Sequence, residues 1–563
     1  MHLDLKVLFL ICVQILAIST LSAKTSQPNI VIIIADDVGW NDFGLHGSNQ
    51  IPTPNIDALG YNGVILDKFY TQQTCTPSRA SLLTGKYPIR LGLQGAPIET
   101  GENRALPFDT PLMSELLKDL GYSTHLVGKW HLGAACNEHT PTMRGFDTHF
   151  GFLNGYTGYF RYTISVPDPR DKTKNMTGFD LRDAFEPQWA LKGQYATELF
   201  NKKSLEVIEK HDTSNPLFLV VSHLAGHSGE NGTELGVPDQ SRTDELYSYI
   251  ASPERRQYAD LINLMDQSVG DVVAKLSERG MLENSIILFF SDNGAPTVGK
   301  FNNFGSGWPF RGLKFTLFEG GVRGTGIIYS PLFEQKNYVN RELIHISDIL
   351  PTLYRAAGGN LDTLGTIDGV DQWDTISTNI AGTRSEMLIN IDEKKGYSGI
   401  FDGEGRFKLL NGTYVSGNSF YGEDGRGSEN PSYDYDAVIN SSVNIAIQSL
   451  GDSVCLEESI IEDLRTTITL DDCKTSDQAT AIKCDGMCLF DIWNDPCEVE
   501  NLINETTLAD VVDELKAKLD TFVAELVPQT NKARDPKCDP VNFNGTWSPW
   551  LTCDVNAADC HKM

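Results

Sequence analysis

The chain has 563 residues, 40% of them apolar and 21% charged, proportions of an ordinary globular protein that exclude a largely disordered one. Its 46 basic against 75 acidic side chains leave a net charge of −29, which repels nucleic acid and anionic membrane from most of the surface. A site for an anionic ligand therefore needs its own local cluster of cations.

Lys6 precedes an apolar run from Val7 to Ile18, followed by the small residues Ser19, Thr20, Ser22 and Ala23. This pattern predicts a secretory signal peptide over residues 1–23, cleaved near Ala23. No later stretch holds about 18 uninterrupted apolar residues, so no transmembrane segment is expected. Asn-x-Ser/Thr sequons at Asn175, Asn231, Asn411, Asn440, Asn504 and Asn544 agree with a secreted or lysosomal glycoprotein.

The remaining roughly 540 residues exceed one hydrophobic core, so two domains are expected. Short apolar runs at Asn29 to Ala35, Ser123 to Gly128, Leu217 to Ser222, Ile286 to Ser291 and Thr325 to Tyr329 predict buried strands of a mostly parallel sheet. Helical spacing recurs over Thr110 to Leu120, Tyr195 to Lys210, Pro253 to Gly280 and Ser347 to Ala357. The alternation predicts a three-layer α/β domain over residues 24–382. Beyond Gly382 shorter strand-like pieces, Glu386 to Ile391 and Arg406 to Leu410, predict a smaller α+β domain over 383–563, with a surface loop from Gly417 to Asp436 and an amphipathic helix from Thr507 to Leu526.

Eight cysteines between Cys455 and Cys560 are read as up to four disulfides stapling that second domain, namely Cys455, Cys473, Cys484, Cys488, Cys497, Cys538, Cys553 and Cys560. Cys136 has no obvious partner and is expected as a buried free thiol; Cys12 leaves with the signal peptide. His46, His125, His149, His223 and His345 are expected to be packing residues, and His139 and His211 exposed ones.

The residues just past the strand ends carry the chemistry. Asn29 to Ala35 runs into Asp36-Asp37, Ser123 to Gly128 into Lys129-Trp130-His131, Leu217 to Ser222 into His223 and His227, and Ile286 to Ser291 into Asp292-Asn293. Ligands of open α/β sheets bind beyond the carboxyl ends of strands, so these groups are expected in one crevice. Three carboxylates and an amide oxygen are hard ligands suited to calcium or magnesium, although each pair alone is also what a helix cap or turn uses.

Cys75-Thr76-Pro77-Ser78-Arg79, continuing to Gly85-Lys86, resembles the signature of the sulfatase family. The likeness extends over Asn29 to Asp37, Gly39 to Asp42, Gly128 to Gly133, Arg144 to Asp147, His227, Ser291 to Gly294 and Trp308 to Gly324, and within the family is nearest to the arylsulfatase B, or N-acetylgalactosamine-4-sulfatase, group. The resemblance implies an alkaline-phosphatase-like sandwich and a calcium-dependent sulfuric ester hydrolase, acting on a sulfated glycan or aryl sulfate. It implies that Cys75 is oxidised to formylglycine by a formylglycine-generating enzyme during biosynthesis. It further implies that Asp36, Asp37, Asp292, Asn293 and the modified Cys75 hold calcium, that Arg79 steadies Cys75, and that Lys129, His131 and Lys314 contact sulfate. His227 would serve the departing alcohol oxygen, and His131 the base that releases sulfate.

Two features depart from that group. Its cysteine pair in the N-terminal domain is represented by Cys136 alone, and Ser228-Gly229 replaces a typical Glu-Pro after His227, which bears on the natural substrate. Two competing readings are a phosphatase or phosphodiesterase of the same superfamily, which would prefer a Ser or Thr nucleophile and a two-zinc ligand set richer in His, and a catalytically inactive secreted protein that binds sulfated glycans.

Overall fold

The computed structural model describes residues 27–232, 234–414, 418–451, 454–470, 484 and 486–553; the expected signal peptide, Cys12, Cys473 and Cys560 lie outside them. Strand β1 (Asn29–Ala35) is buried on both faces, which is why its sequence is a continuous apolar run. Chain order continues with helix α1 (Pro54–Asn62), β2 (Val64–Leu66), helix α2 (Cys75–Thr84), helix α3 (Met113–Asp119), β3 (Ser123–Lys129), β4 (Thr148–Phe152), β5 (Arg182–Asp183) and β6 (Glu186–Pro187). Helix α4 (Ala196–Lys210), β7 (Leu217–Ser222), helix α5 (Pro253–Glu278), β8 (Ser285–Ser291), β9 (Gly326–Tyr329), β10 (Tyr338–Asn340) and helix α6 (Ile349–Ala356) come next.

These ten strands form one sheet in the order β10-β2-β9-β8-β1-β7-β3-β4-β5-β6. Its centre, β8-β1-β7-β3-β4, is parallel throughout, whereas β9 returns antiparallel to β8. Alternation along β1 sends Ile30, Ile32 and Ile34 into one core with α2, α3 and α6, and Val31, Ile33 and Ala35 into the other with α1, α4 and α5. The three-layer sandwich results from that pattern.

A second, antiparallel sheet comprises β11 (Glu386–Asp392), β12 (Tyr397–Asp402), β13 (Phe407–Asn411) and β14 (Met487–Asp491), in that order. One face packs Leu388, Ile400 and Leu409 on helix α7 (Ala509–Ala524) and on Tyr87 and Ile89. The other sets Met387, Phe401 and Phe490 against Tyr70, Leu317, Phe318 and Val322 of the first unit. Within this junction Lys408 is fully buried, its Nζ 2.8 Å from both Glu319 and Glu498. Arg323 pairs with Glu319 at 3.3 Å and with Asp67, and Tyr70 donates its hydroxyl to Glu319 at 2.8 Å. Burial pushes Glu498 up to about 7; the same burial acts on Glu319, but Lys408 and Arg323 hold it below the ordinary range.

After α7 the chain runs back onto the first unit: Trp547 Nε1 donates to Ile164 O at 3.2 Å, and Cys553 forms a disulfide with Cys136 across a sequence separation of 417. Cys136 is therefore not the free thiol expected, because its partner arrives from the opposite end of the chain. The expectation of four staples confined to the second unit is corrected too. Cys484 pairs with Cys488 and Cys497 is disulfide-bonded, but Cys455 and Cys538 are free thiols.

The segment from 418 to 434 contains no helix or strand, as expected, yet it is more than a surface loop. Tyr421 O and Ser419 O accept from Gly307 N and Gly312 N at 3.2 and 2.8 Å, so it braces the loop that carries Lys314. All six sequon asparagines are exposed. No helix among the described residues is long and apolar enough to cross a membrane.

Candidate active site

The strand register explains why distant residues meet. Ala35 lies opposite Ser291, Ile34 opposite Ser222, and Ser222 opposite Gly128, so β1, β8, β7 and β3 end level with one another. Asp36-Asp37, Asp292-Asn293, His223 and Lys129 thus leave the sheet side by side. Cys75 opens α2 and brings its Sγ to 3.6 Å from Asp36 Oδ1 and 3.8 Å from Asp37 Oδ1.

Every charge in this crevice is buried and paired. Lys129 Nζ donates to both oxygens of Asp36 at 2.9 and 2.7 Å, and Lys314 Nζ to Asp37 Oδ2 at 2.6 Å while lying 3.5 Å from Cys75 Sγ. Arg79 donates Nε to Asp292 Oδ2 at 3.0 Å and Nη1 to Ser222 Oγ at 2.6 Å. Asn293 donates Nδ2 to Asp37 Oδ1 at 2.6 Å, leaving its Oδ1 buried without a hydrogen-bond partner. His227 sets Nε2 3.4 Å from Asp37 Oδ2, its Nδ1 meeting Ser228 O at 2.6 Å.

Three acids and three bases thus form a nearly neutral buried cluster inside a strongly acidic protein, the local concentration of cations that an anionic ligand requires. Burial pushes Asp36 up to about 7. Asp37 is equally buried, but Lys314, His227 and Lys129 hold it below the usual carboxylate range. Burial, reinforced by Asp292, pushes the Cys75 thiol far up, against ionisation. Burial lowers His227 to about 3 and drives His131 well below the ordinary imidazole value.

Asp36, Asp37, Cys75, Arg79, Lys129, His227, Asp292, Asn293 and Lys314 form one bonded network. His131 stands beside it: Thr76 Oγ1 donates to its carbonyl at 3.1 Å, its Nε2 meets Ile98 O at 2.9 Å, and its buried Nδ1 has no hydrogen-bond partner. Asp37 and His131 have φ of 63° and 62°, a left-handed conformation that costs a non-glycine residue free energy.

The oxygens of Asp36 and Asp37, with Cys75 and His227, offer ligand atoms within 4.8 Å of one another, and the orphaned Asn293 Oδ1 adds a hard donor at the same place. This cluster is a possible metal-binding group.

His223 is structural, bonded through Nε2 to Ser268 Oγ at 3.2 Å. His46, His149 and His345 are buried and hydrogen-bonded, and His125 Nδ1 meets Thr148 Oγ1. His139 and His211 are not the exposed residues expected: His139 stacks on Phe108 at 4.5 Å, and His211 is buried with Nε2 on Asn215 O.

Several positioning residues carry no sequence signal of their own. Asn303 donates Nδ2 to Asp37 O at 2.7 Å and Gly226 O at 2.9 Å, and Ser291 Oγ bonds Val38 and Asn293. A Cβ at Gly294 would stand 1.9 Å from Gly320 O, so only glycine lets the Asn293 and Lys314 loops touch.

A sequence profile of the sulfatase family matches residues 28–359. Arylsulfatase J of Mus musculus is 35% identical over 537 residues, 94% of this chain and 81% of that protein. N-acetylgalactosamine-6-sulfatase of Mus musculus is 32% identical over 365 residues, covering 63% and 67% of the two chains. Ps i-CgsB, solved in complex with k-i-k-neocarrahexaose, superposes with a TM-score of 0.68 at 23% identity over 92% of this chain and 97% of its own, a likeness that shows the fold. The names of these relatives do not support a 4-sulfatase specificity. With its profile match reaching from β1 through α6 and a relative aligned over nearly its whole length, the chain belongs to the sulfatase family.

Proposed function

We propose that this chain is a calcium-dependent sulfatase that hydrolyses a sugar or aryl sulfate ester through a formylglycine made from Cys75, with residues 24–382 as its catalytic unit and 383–563 as a smaller disulfide-bearing one. The observation that carries this reading is the placement of Cys75, a buried cysteine at the centre of a charged crevice, with its Sγ 3.6 and 3.8 Å from Asp36 and Asp37 and 3.5 Å from Lys314 Nζ. Such a residue makes sense as the precursor of an oxygen nucleophile.

Asp36, Asp37, Asp292, Asn293 and the modified Cys75 would hold calcium. When bound, the ion and the hydrated aldehyde supply electrophilic assistance and an attacking oxygen. The chain's own residues do the rest. Negative charge spreads over the sulfuryl oxygens during in-line displacement, and Lys129 and Lys314 are the donors that meet it. Arg79, fixed by Asp292 and Ser222, steadies residue 75. Ser228 O accepts from His227 Nδ1–H, which leaves Nε2 to face the leaving group. The ester's negative charge favours a proton there, and Nε2–H then passes it to the departing alcohol oxygen. His131 takes the proton that frees sulfate. A secretory route to lysosome or exterior accords with the amino-terminal pattern and the exposed sequons.

Mass spectrometry of the tryptic peptide Phe69 to Arg79 from protein made in its secretory pathway tests the reading. An aldehyde in place of the thiol, with hydrolysis of 4-nitrophenyl sulfate, is the expected result. A thiol at residue 75, while a control sulfatase from the same cells is converted, overturns it.

A further inference from the structure

Strand β7 ends at Ser222, and from there to His227 the chain forms no helix or strand. His227 N donates to Leu224 O at 2.9 Å and closes a tight turn, in which Gly226 has φ of 95° and a Cβ would stand 2.2 Å from Asp36 O. The imidazole hangs on the same turn, because its Nδ1 meets Ser228 O at 2.6 Å. Whatever fixes the backbone from Leu224 to Ser228 therefore fixes where Nε2 points.

Tyr159, on the connection from β4 to β5, grips that backbone. It is fully buried and shares its one hydroxyl proton between His227 O at 2.8 Å and Leu224 O at 3.2 Å. No other described residue donates to His227 O. Tyr159 is itself held, its carbonyl accepting from Ala196 N at the start of α4 at 2.9 Å and its ring stacking on Tyr195 at 5.8 Å with the planes 17° apart. Burial, with Tyr195, Asp36, Glu234 and Asp37 nearby, pushes the Tyr159 hydroxyl far above its usual value, so it keeps the proton it donates. The contact runs to both ends of the turn and leaves the imidazole free to face the crevice.

We propose that Tyr159 is a positioning residue for the reaction: its hydroxyl holds the turn from Leu224 to Ser228 in the shape that sets His227 Nε2 toward the departing alcohol oxygen. This inference rests on the sulfatase reading and adds to it the group that aims its acid. Proton donation matters more the poorer the leaving group, and displacing a reacting group by about 1 Å can cost about a hundredfold in rate. A hydroxyl that acts through His227 must therefore show itself most on the worst leaving group. One that only stabilises the fold lowers all rates together.

The test is a leaving-group series of 4-nitrophenyl, phenyl and 4-methoxyphenyl sulfate, run on native protein and on Tyr159→Phe, which deletes the hydroxyl and keeps the ring. The variant is expected to lose about tenfold more kcat/KM on 4-methoxyphenyl than on 4-nitrophenyl sulfate, and to leave that ratio unaltered in a His227→Ala background. The ratio does not depend on how much of each preparation is folded and active. Tyr195→Phe removes a neighbouring buried hydroxyl that has no hydrogen-bond partner, and should keep the native ratio. A native ratio in Tyr159→Phe, the same change in Tyr195→Phe, or a change that persists without His227 overturns the proposal. Failure of the sulfatase reading shows separately, as native protein with a thiol at residue 75 that hydrolyses none of the three esters.

Discussion

Two clusters of paired charge in this molecule are each centred on fully buried groups. At the crevice, Asp36, Asp37 and Asp292 meet Arg79, Lys129 and Lys314. At the junction between the sheets, Glu319, Glu498 and Asp67 meet Lys408 and Arg323. The junction spends its polar groups on itself: Lys408 is centred between two carboxylates, and Arg323 lies over Trp40 and Phe310. The crevice keeps two atoms unspent beside the Cys75 thiol, Asn293 Oδ1 and His131 Nδ1. Buried ion pairs alone do not mark a reaction site; what sets the crevice apart is that its ion pairs and orphaned atoms gather round Cys75 at the level ends of parallel strands.

The sharpest test of that contrast is Lys129→Met. Loss of a positioned cation is expected to lower kcat/KM on 4-nitrophenyl sulfate by about a hundredfold to a thousandfold, and a loss under tenfold would place the reaction elsewhere. Lys408→Met should reverse the pattern. It strands two carboxylates in the junction and is expected to remove about 3–5 kcal/mol of stability in urea unfolding. Lost activity at unchanged stability would show the junction to be part of the reaction machinery.

Asn293→Ala probes the orphaned oxygen. Calcium should raise the melting temperature of the native protein and chelation lower it, whereas the variant should need about tenfold more calcium for the same rise. An identical calcium dependence removes Asn293 from the ligand set.

The smallest effect is one of pH. Burial raises Glu498 to about 7, so the folded chain keeps a proton there that the unfolded chain loses above its ordinary value of 4.5. Stability from this group is full below about 4.5 and is lost as pH rises through 7, and Asp266 and Asp57, raised by burial to about 7 and about 6, act in the same direction. Buried histidines such as His227 and His131, held below the ordinary imidazole value, act oppositely, so the group is isolated by difference: relative to Glu498→Gln, the native protein is expected to lose stability as pH rises from 5 to 7.5. A difference between the two melting temperatures that stays constant over this range contradicts the assignment.

Much of the architecture was legible because burial on both faces writes itself into β1, β7 and β8 as unbroken apolar runs, and because a polar residue after such a run marks the strand end where ligands collect. Asp36-Asp37 and Asp292-Asn293 were visible for that reason. Cys136 was not, since nothing local distinguishes a cysteine whose partner lies 417 residues away. Asn303 was equally hidden. It sits where tertiary approach decides, at a position with no period and no neighbouring partner, and the bracing role of residues 418–434 depends on backbone carbonyls that composition does not reveal.

Cys75 is 1% exposed, beneath the loops that carry Lys314 and His227. A side chain so enclosed is out of reach of any second protein once these loops have closed, so an enzyme that oxidises it must meet the chain while it is still being made or still unfolded. On the proposed reading, each molecule has one early interval in which to become an enzyme. A copy that folds with its sulfur in place stays inert for its lifetime, and the active fraction of a preparation records a race between modification and folding.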